Sequence, residues 1–162
     1  MPDMLVKLYD LPPLEPVLER QREQDIHIRR AIASDKSLIV KWATEHFSEG
    51  WGDECAVAVA QSPPTCFIAV RDGKLLGFAC YDATTKNFFG PTGVDSDERG
   101  QGIGTALLLA TLHAMRWAGY GYAIIGWVGP AEYYARIVGA VVIPDSSPSV
   151  YANLISRESL GD

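Results

Sequence analysis

The chain has 162 residues, 48% hydrophobic and 21% charged, with a net charge of −6 at neutral pH. That is the size of one domain with a single core, able to bury about 68–70% of its unfolded surface, and its 15 glycines and 10 prolines follow no period that would indicate a fibrous chain. An acidic balance, with a pI near 5.0, offers no uniform attraction to phosphate backbones or anionic lipid, so neither nucleic acid nor a membrane is an expected partner.

Three cysteines, Cys55, Cys66 and Cys80, are too few and too scattered for a disulfide framework or a CxxC zinc site; no metal is expected, and a reducing cytoplasm suits them. The opening MPDMLVKLYDLPP has no basic flank before an apolar run, and the apolar stretch within Ala106 to Ala110 is far shorter than the ~20 residues of a membrane span. The expectation is a soluble cytoplasmic protein.

LVKLYDLPPLEP reads as a short strand or extended arm closed by prolines, and VLERQREQ as a polar helix. From Ile26, DIHIRRA alternates as a half-buried strand does. Ser34 is placed to cap a helix with Leu38, Ile39, Trp42 and Ala43 on its inner face. Glycines 50 and 52 predict a break, followed by a second short helix that ends before Pro63. CFIAV and LLGFACY flank Asp72–Gly73, a strong hairpin signal. NFFGPTGV is a third strand, in which Gly90 and Pro91 predict a bulge or the end of pairing. A helix then runs to Trp117 and stops at Gly119. YAIIGWV is a buried strand, AEYYARIV a short helix and AVVI a strand, and the segment from Asp145 to Ile155 adds a loop and a last strand. Hairpins first and a strand-helix-strand crossover later imply one mixed sheet with helices on both faces.

The chemistry concentrates at ERGQGIGTALLLA, from Glu98 to Ala110. Glycines permit a tight turn and close helix packing, which is one reading of them. The other is a phosphate cradle: a helix N-terminus presents free N–H groups and the positive end of the helix dipole, and glycine lets backbone donors approach a bulky anion. A Walker loop requires a lysine that is missing here, and a dinucleotide fingerprint starting at Gly100 requires glycine where Thr105 stands. What remains is R-x-x-G-x-G, filled by Arg99, Gly102 and Gly104.

At these residues the sequence resembles the GNAT acetyltransferase superfamily, whose acyl-CoA pyrophosphate loop reads [RQ]-x-x-G-x-[GA]. The resemblance runs from about Ile26 to Ile143, with Tyr133 and Tyr134 in the family's two aromatic places. It departs from the family in the spacing from Tyr134 to Gly139, one residue longer than usual, in Ala140 at an aromatic position, and in Gly129 and Pro130 where an Asn is often seen. The implied fold is α/β of the α+β type, a single mixed, mostly antiparallel sheet flanked by helices, over residues 26–162. Residues 1–25 are expected to form an extension, a short strand and helix packed on that domain.

The resemblance implies transfer of an acetyl group from acetyl-CoA to an amine by direct attack. Gly93 and Val94 would meet the pantetheine arm. Arg99, Gly100, Gln101, Gly102, Ile103, Gly104 and Thr105 would hold the pyrophosphate. Tyr134 would be the general acid for the leaving thiolate, with Tyr133 packing inward. Glu45, His46 and Asp82 are candidates for the base that an amine of pKa about 10.4 requires at neutral pH. Trp51, Asp53 and Glu54 are candidates for binding the acceptor. Cys66 and Cys80 sit in apolar strands and Cys55 has no neighbouring His, which argues against a covalent acyl-enzyme. The expected partner is a small-molecule amine or a free α-amino group, and a homodimer is allowed. Two other functions fit the same residues: a CoA-binding sensor without turnover, and a protein-lysine acetyltransferase.

Overall fold

The computed structural model describes residues 1–160. In chain order its elements are β1 (Met4–Lys7), α1 (Glu15–Arg22), β2 (His27–Arg30), α2 (Lys36–His46), α3 (Glu49–Ala60), β3 (Cys66–Arg71), β4 (Lys74–Tyr81), β5 (Phe88–Val94), α4 (Ile103–Trp117), β6 (Tyr122–Ile125), α5 (Ala131–Val138) and β7 (Val141–Val142). The strands form one seven-stranded sheet in the order β2-β3-β4-β5-β6-β1-β7. Every pairing is antiparallel except β5 with β6, which the crossover through α4 makes parallel.

The local chemistry explains the central hairpin. Asp72 and Gly73 both take positive φ, 51° and 72°, the left-handed pair that a two-residue turn between twisted strands requires. Arg71 and Lys74 face each other across it. Further into β4 a bulge at Leu76 sets Val70 opposite Leu75 but Ala69 opposite Gly77. The extra residue shifts the alternation, so that Phe78 and Cys80 face one layer and Ala79 and Tyr81 the other.

Two cores result, one on each side of the sheet. On one side the apolar length of α4, from Ile103 to Met115, packs with residues from α1, α5 and β1. On the other side Ile39 and Ala43 of α2 and Cys55, Ala58 and Val59 of α3 cover Ile68, Phe78 and Cys80. The cysteines are free and buried. The adjoining Cys55 and Cys66 thiols and the apolar surroundings push the Cys80 thiol well up, which keeps it inert.

Several expectations are corrected. Ser34 does not cap α2; it lies in a single 3-10 turn, where the Asp35 carboxylate accepts from the Ile32 N–H at 2.8 Å. Leu38 points outward, 67% exposed, because α2 turns only Ile39 and Ala43 fully inward. The break falls before the glycines rather than at them: Ser48 caps α3, its Oγ accepting from the Trp51 N–H at 3.2 Å, so Gly50 and Gly52 lie in the first turn. Gly52 has a packing reason, since a Cβ there would stand 2.1 Å from Thr44 Oγ1.

No strand forms in 145–155, where the backbone makes a 3-10 turn at Ser149–Tyr151. The position beside β7 belongs to β1, with Met4 opposite both Ile125 of β6 and Val142 of β7. β1 is thus woven into the sheet while α1 packs on α4, and the C-terminal segment is left to cross the surface near α3. The bulge at Gly90–Pro91 forms as the sequence predicts: Tyr81 faces Phe89 and Ala79 faces Thr92, so one residue of β4 spans two of β5.

Candidate active site

The bulge and the parallel pairing together open the sheet. β5 meets β6 only at Phe88 and Phe89, and β6 ends at Ile125. Beyond Phe89, residues 90–94 of β5 have no strand beside them on that side, which leaves backbone donors and acceptors facing a cleft. A cavity of about 490 Å³ occupies it, running from Phe47, Trp51 and Phe89 past Gly93 and Val94 to the glycine loop and the two tyrosines of α5.

The loop has the conformation its glycines were expected to allow. Gly100 and Gly102 take φ of 84° and 79°, and Gly102 is the left-handed residue preceding α4. A side chain is strained in that region, and at Gly102 a Cβ would also sit 3.2 Å from Gln21 Nε2. The first N–H groups of α4 are left without carbonyl partners in the helix and open on the cavity.

Arg99, Gly100, Gly102, Ile103, Gly104 and Thr105 all line this space; Gln101 does not. Its side chain turns the other way, donating to Glu98 Oε2 at 2.6 Å and accepting from Arg71 at 3.2 Å, while Arg71 holds Glu98 in a two-pronged pair at 2.7 and 2.8 Å. The bonds from Gln101 first and Arg71 second hold the Glu98 carboxyl below its ordinary range. The Gln101 carbonyl accepts from Gln21 at 2.9 Å and from Gln24 at 3.2 Å, both on or just beyond α1. Arg71, Gln21 and Gln24 thus anchor the loop from behind, through Glu98, Gln101 and the Gln101 carbonyl. None of those anchors was legible as part of the site.

At the other end, Tyr134 is buried at 8% exposure with its ring edge-on to Phe89, centroids 6.4 Å apart. Burial, helped by neighbouring Tyr133, pushes its phenol up to about 12, so it is a neutral donor throughout the physiological range. Tyr133 lies beside it on α5. Its ring packs on the core, but its hydroxyl meets Thr105 Oγ1 at 2.7 Å and joins α5 to the first turn of α4.

A second cavity, of about 910 Å³, shares Trp51 and Phe89 with the first and lies on their far side. Glu54 of α3 lines it, with Trp127, Tyr151 and Arg157 from the C-terminal third of the chain. Burial raises the Glu54 carboxyl above its ordinary value, against a hydrogen bond from the Thr84 hydroxyl that lowers it. Asp53 lies outside and holds Arg157 at 3.4 Å, alongside Glu49 at 2.7 Å.

Glu45, His46 and Asp82 line neither cavity. Glu45 lies on the exposed side of α2 near Lys41. His46 stacks on Trp42 at 4.0 Å, with Nδ1 bonded to the Trp42 carbonyl at 2.9 Å. Asp82 has both oxygens committed, to the Asn87 N–H at 2.7 Å and the Tyr120 hydroxyl at 2.8 Å. It shapes the turn between β4 and β5. Phe47, Phe89, Trp127 and Tyr151 carried no motif by which sequence could find them, since distant segments bring them together.

Residues 36–142, two thirds of the chain, match the family model described as Acetyltransferase (GNAT) family. The chain belongs to that family. Similar folds recur at low identity. One is a GCN5-related glucosamine N-acetyltransferase region of a fungal multi-domain GH3 β-N-acetylglucosaminidase, with TM-score 0.71, 15% identity, and 88% of this chain and 19% of the other covered. Another is a GCN5-related N-acetyltransferase from Sphaerobacter thermophilus, with TM-score 0.67, 21% identity, and 88% and 48% covered. This GNAT chain therefore spans about a fifth of the first structure and half of the second. No curated protein matches it significantly. The cleft lies within the matched segment, but β1, α1 and the C-terminal crossing lie outside it, and these supply Gln21, Tyr151 and Arg157.

Proposed function

We propose that this GNAT acetyltransferase moves the acetyl group of acetyl-CoA to a primary amine of a small molecule by direct attack. The observation that carries the reading is the meeting of two cavities at Trp51 and Phe89, one ending in the glycine loop and the other holding the half-buried carboxyl of Glu54. The first fits a pantetheine chain ending in a pyrophosphate: an unpaired strand edge, then a positive-φ loop and free helix N–H groups.

Bound acetyl-CoA supplies the thioester. The N–H groups from Gly102 to Thr105 hold its pyrophosphate, with Arg99 at the rim, and β5 at Gly93 and Val94 bonds the pantetheine and polarises the thioester carbonyl. The amine enters from the second cavity. Glu54 receives a proton from the ammonium, since only the neutral amine attacks. As the C–N bond forms and the C–S bond breaks, the Tyr134 hydroxyl gives its proton to the departing sulfur and regains one from the nitrogen. The balance is an ammonium and a thioester converted to an amide, a thiol and one proton released to water.

The test is release of free CoA across a panel of primary amines, preceded by thermal unfolding with acetyl-CoA. Ligand at 100 times its dissociation constant stabilises by about 2.7 kcal/mol, roughly 5–10 °C in a domain of this size. Stabilisation without turnover of any amine would favour a CoA-binding sensor instead. Activity should rise with pH as Glu54 ionises, and should show no upper limb from Tyr134 below pH ~10.

A further inference from the structure

The walls of the second cavity limit what it can take. Trp51, Phe89, Trp127 and Tyr151 supply aromatic surface, with Leu154 and Ile155 beside them. Trp127 and Tyr151 stack at 4.5 Å with 22° between their planes, a flat slab joining the segment after β6 to the C-terminal crossing. Tyr151 belongs to the cavity electrostatically as well, burial and the Glu54 charge both raising its phenol.

Several of its polar side chains are already committed within the protein. Ser48 Oγ caps α3, and the Thr84 hydroxyl bonds Glu54. Among the described lining side chains Arg157 is the one cation, and Glu49 and Asp53 already pair with it. An anionic or phosphorylated acceptor thus meets no unpaired cationic side chain there among the described residues. A cation finds Glu54 and aromatic faces.

We propose that the acceptor is a primary amine carried on a flat apolar or aromatic body, with the ammonium toward Glu54 and the body against Trp127 and Tyr151. This rests on the acetyltransferase reading for the reaction, but the binding preference can be measured without acetyl-CoA. The full chain is titrated with 2-phenylethylamine, 2-phenylethanol, phenylacetate and glucosamine, followed by tryptophan fluorescence and calorimetry.

The amine should bind at least tenfold more tightly than the alcohol, and the other two more weakly still. Glu54→Gln should remove the advantage of amine over alcohol while leaving the alcohol's affinity within twofold. Trp127→Leu should weaken 2-phenylethylamine and leave ethylamine unchanged, which separates loss of the wall from loss of the fold. Glucosamine binding as well as the arylamine, or equal binding of amine, alcohol and acid, overturns the proposal. Turnover then separates the two claims. If no amine releases CoA yet 2-phenylethylamine binds through Glu54, the transferase reading falls and the pocket assignment stands. If glucosamine or peptide α-amines are acetylated in preference to arylamines, the reverse holds.

Discussion

The two cavities are built in different ways. The cleft between β5 and α4 is made mostly of main chain: an unpaired strand edge, two left-handed glycines and the first N–H groups of a helix. The cavity beyond Phe89 is made of side chains drawn from α3, the turn after β4 and the C-terminal crossing. A main-chain site requires particular residues at adjacent positions and so leaves a motif. A side-chain site is assembled from positions far apart, each chemically ordinary by itself.

If that division is real, substitutions in one half should leave the other half's ligand untouched. The largest effect is expected where the halves meet. Tyr134→Phe should lower kcat by about 10²–10⁴-fold, the usual worth of a placed general acid, with the dissociation constants for acetyl-CoA and amine nearly unchanged; a change confined to binding would make Tyr134 a packing residue.

Next comes Gly102→Val, which forces a side chain into the left-handed region at roughly 1–2 kcal/mol and directs a methyl at Gln21. Acetyl-CoA affinity, read by thermal shift on protein shown to be folded by circular dichroism, should fall at least tenfold while arylamine binding persists. Loss of arylamine binding as well would break the comparison.

The resemblance of ERGQGIGTALLLA to a pyrophosphate loop was legible because Arg99, Gly102 and Gly104 stand at fixed offsets. Gln21 was not legible, since nothing in VLERQREQ indicates that one glutamine is 2% exposed behind a loop 80 positions away. The hairpin at Asp72–Gly73 and the bulge at Gly90–Pro91 could be read for the same reason as the loop: backbone geometry dictates residue type there. In the first segment the strand and helix could be read but not the strand's place in the sheet, and in the last segment the expected strand does not form. The alternation in LVKL is too short to place a strand in a sheet, and strand propensity in VYANLI lost to a competing partner, because β1 already holds the ladder between β6 and β7.

Gln21→Leu should weaken acetyl-CoA about two- to tenfold by freeing the Gln101 carbonyl, the worth of one hydrogen bond, with the Michaelis constant for amine unaffected. Glu54→Gln should act on stability through pH. The folded protein holds the Glu54 proton to higher pH than the unfolded chain does, so it binds more protons between the two values. Stability is therefore greatest below the unfolded value and falls as pH rises through the folded one. The Gln variant should lose that slope in denaturant midpoints measured from pH 4 to 8. Smallest is Arg157→Ala, whose pairs are largely exposed; stability should change by no more than about 1 kcal/mol, and any effect on kinetics should fall on the amine alone.

The place of β1 also bears on how the molecule comes to exist. Met4 pairs with Ile125 and Val142, so on a ribosome β1 waits until β6 and β7 have been made before its neighbours arrive. The β2–β5 meander can close early through short turns, whereas the sheet's other end closes late and over long range, the kind of pairing that slows folding. A chain halted before β6 would carry MLVK as an unpaired apolar strand, and the nascent protein has most to gain from a chaperone during that interval.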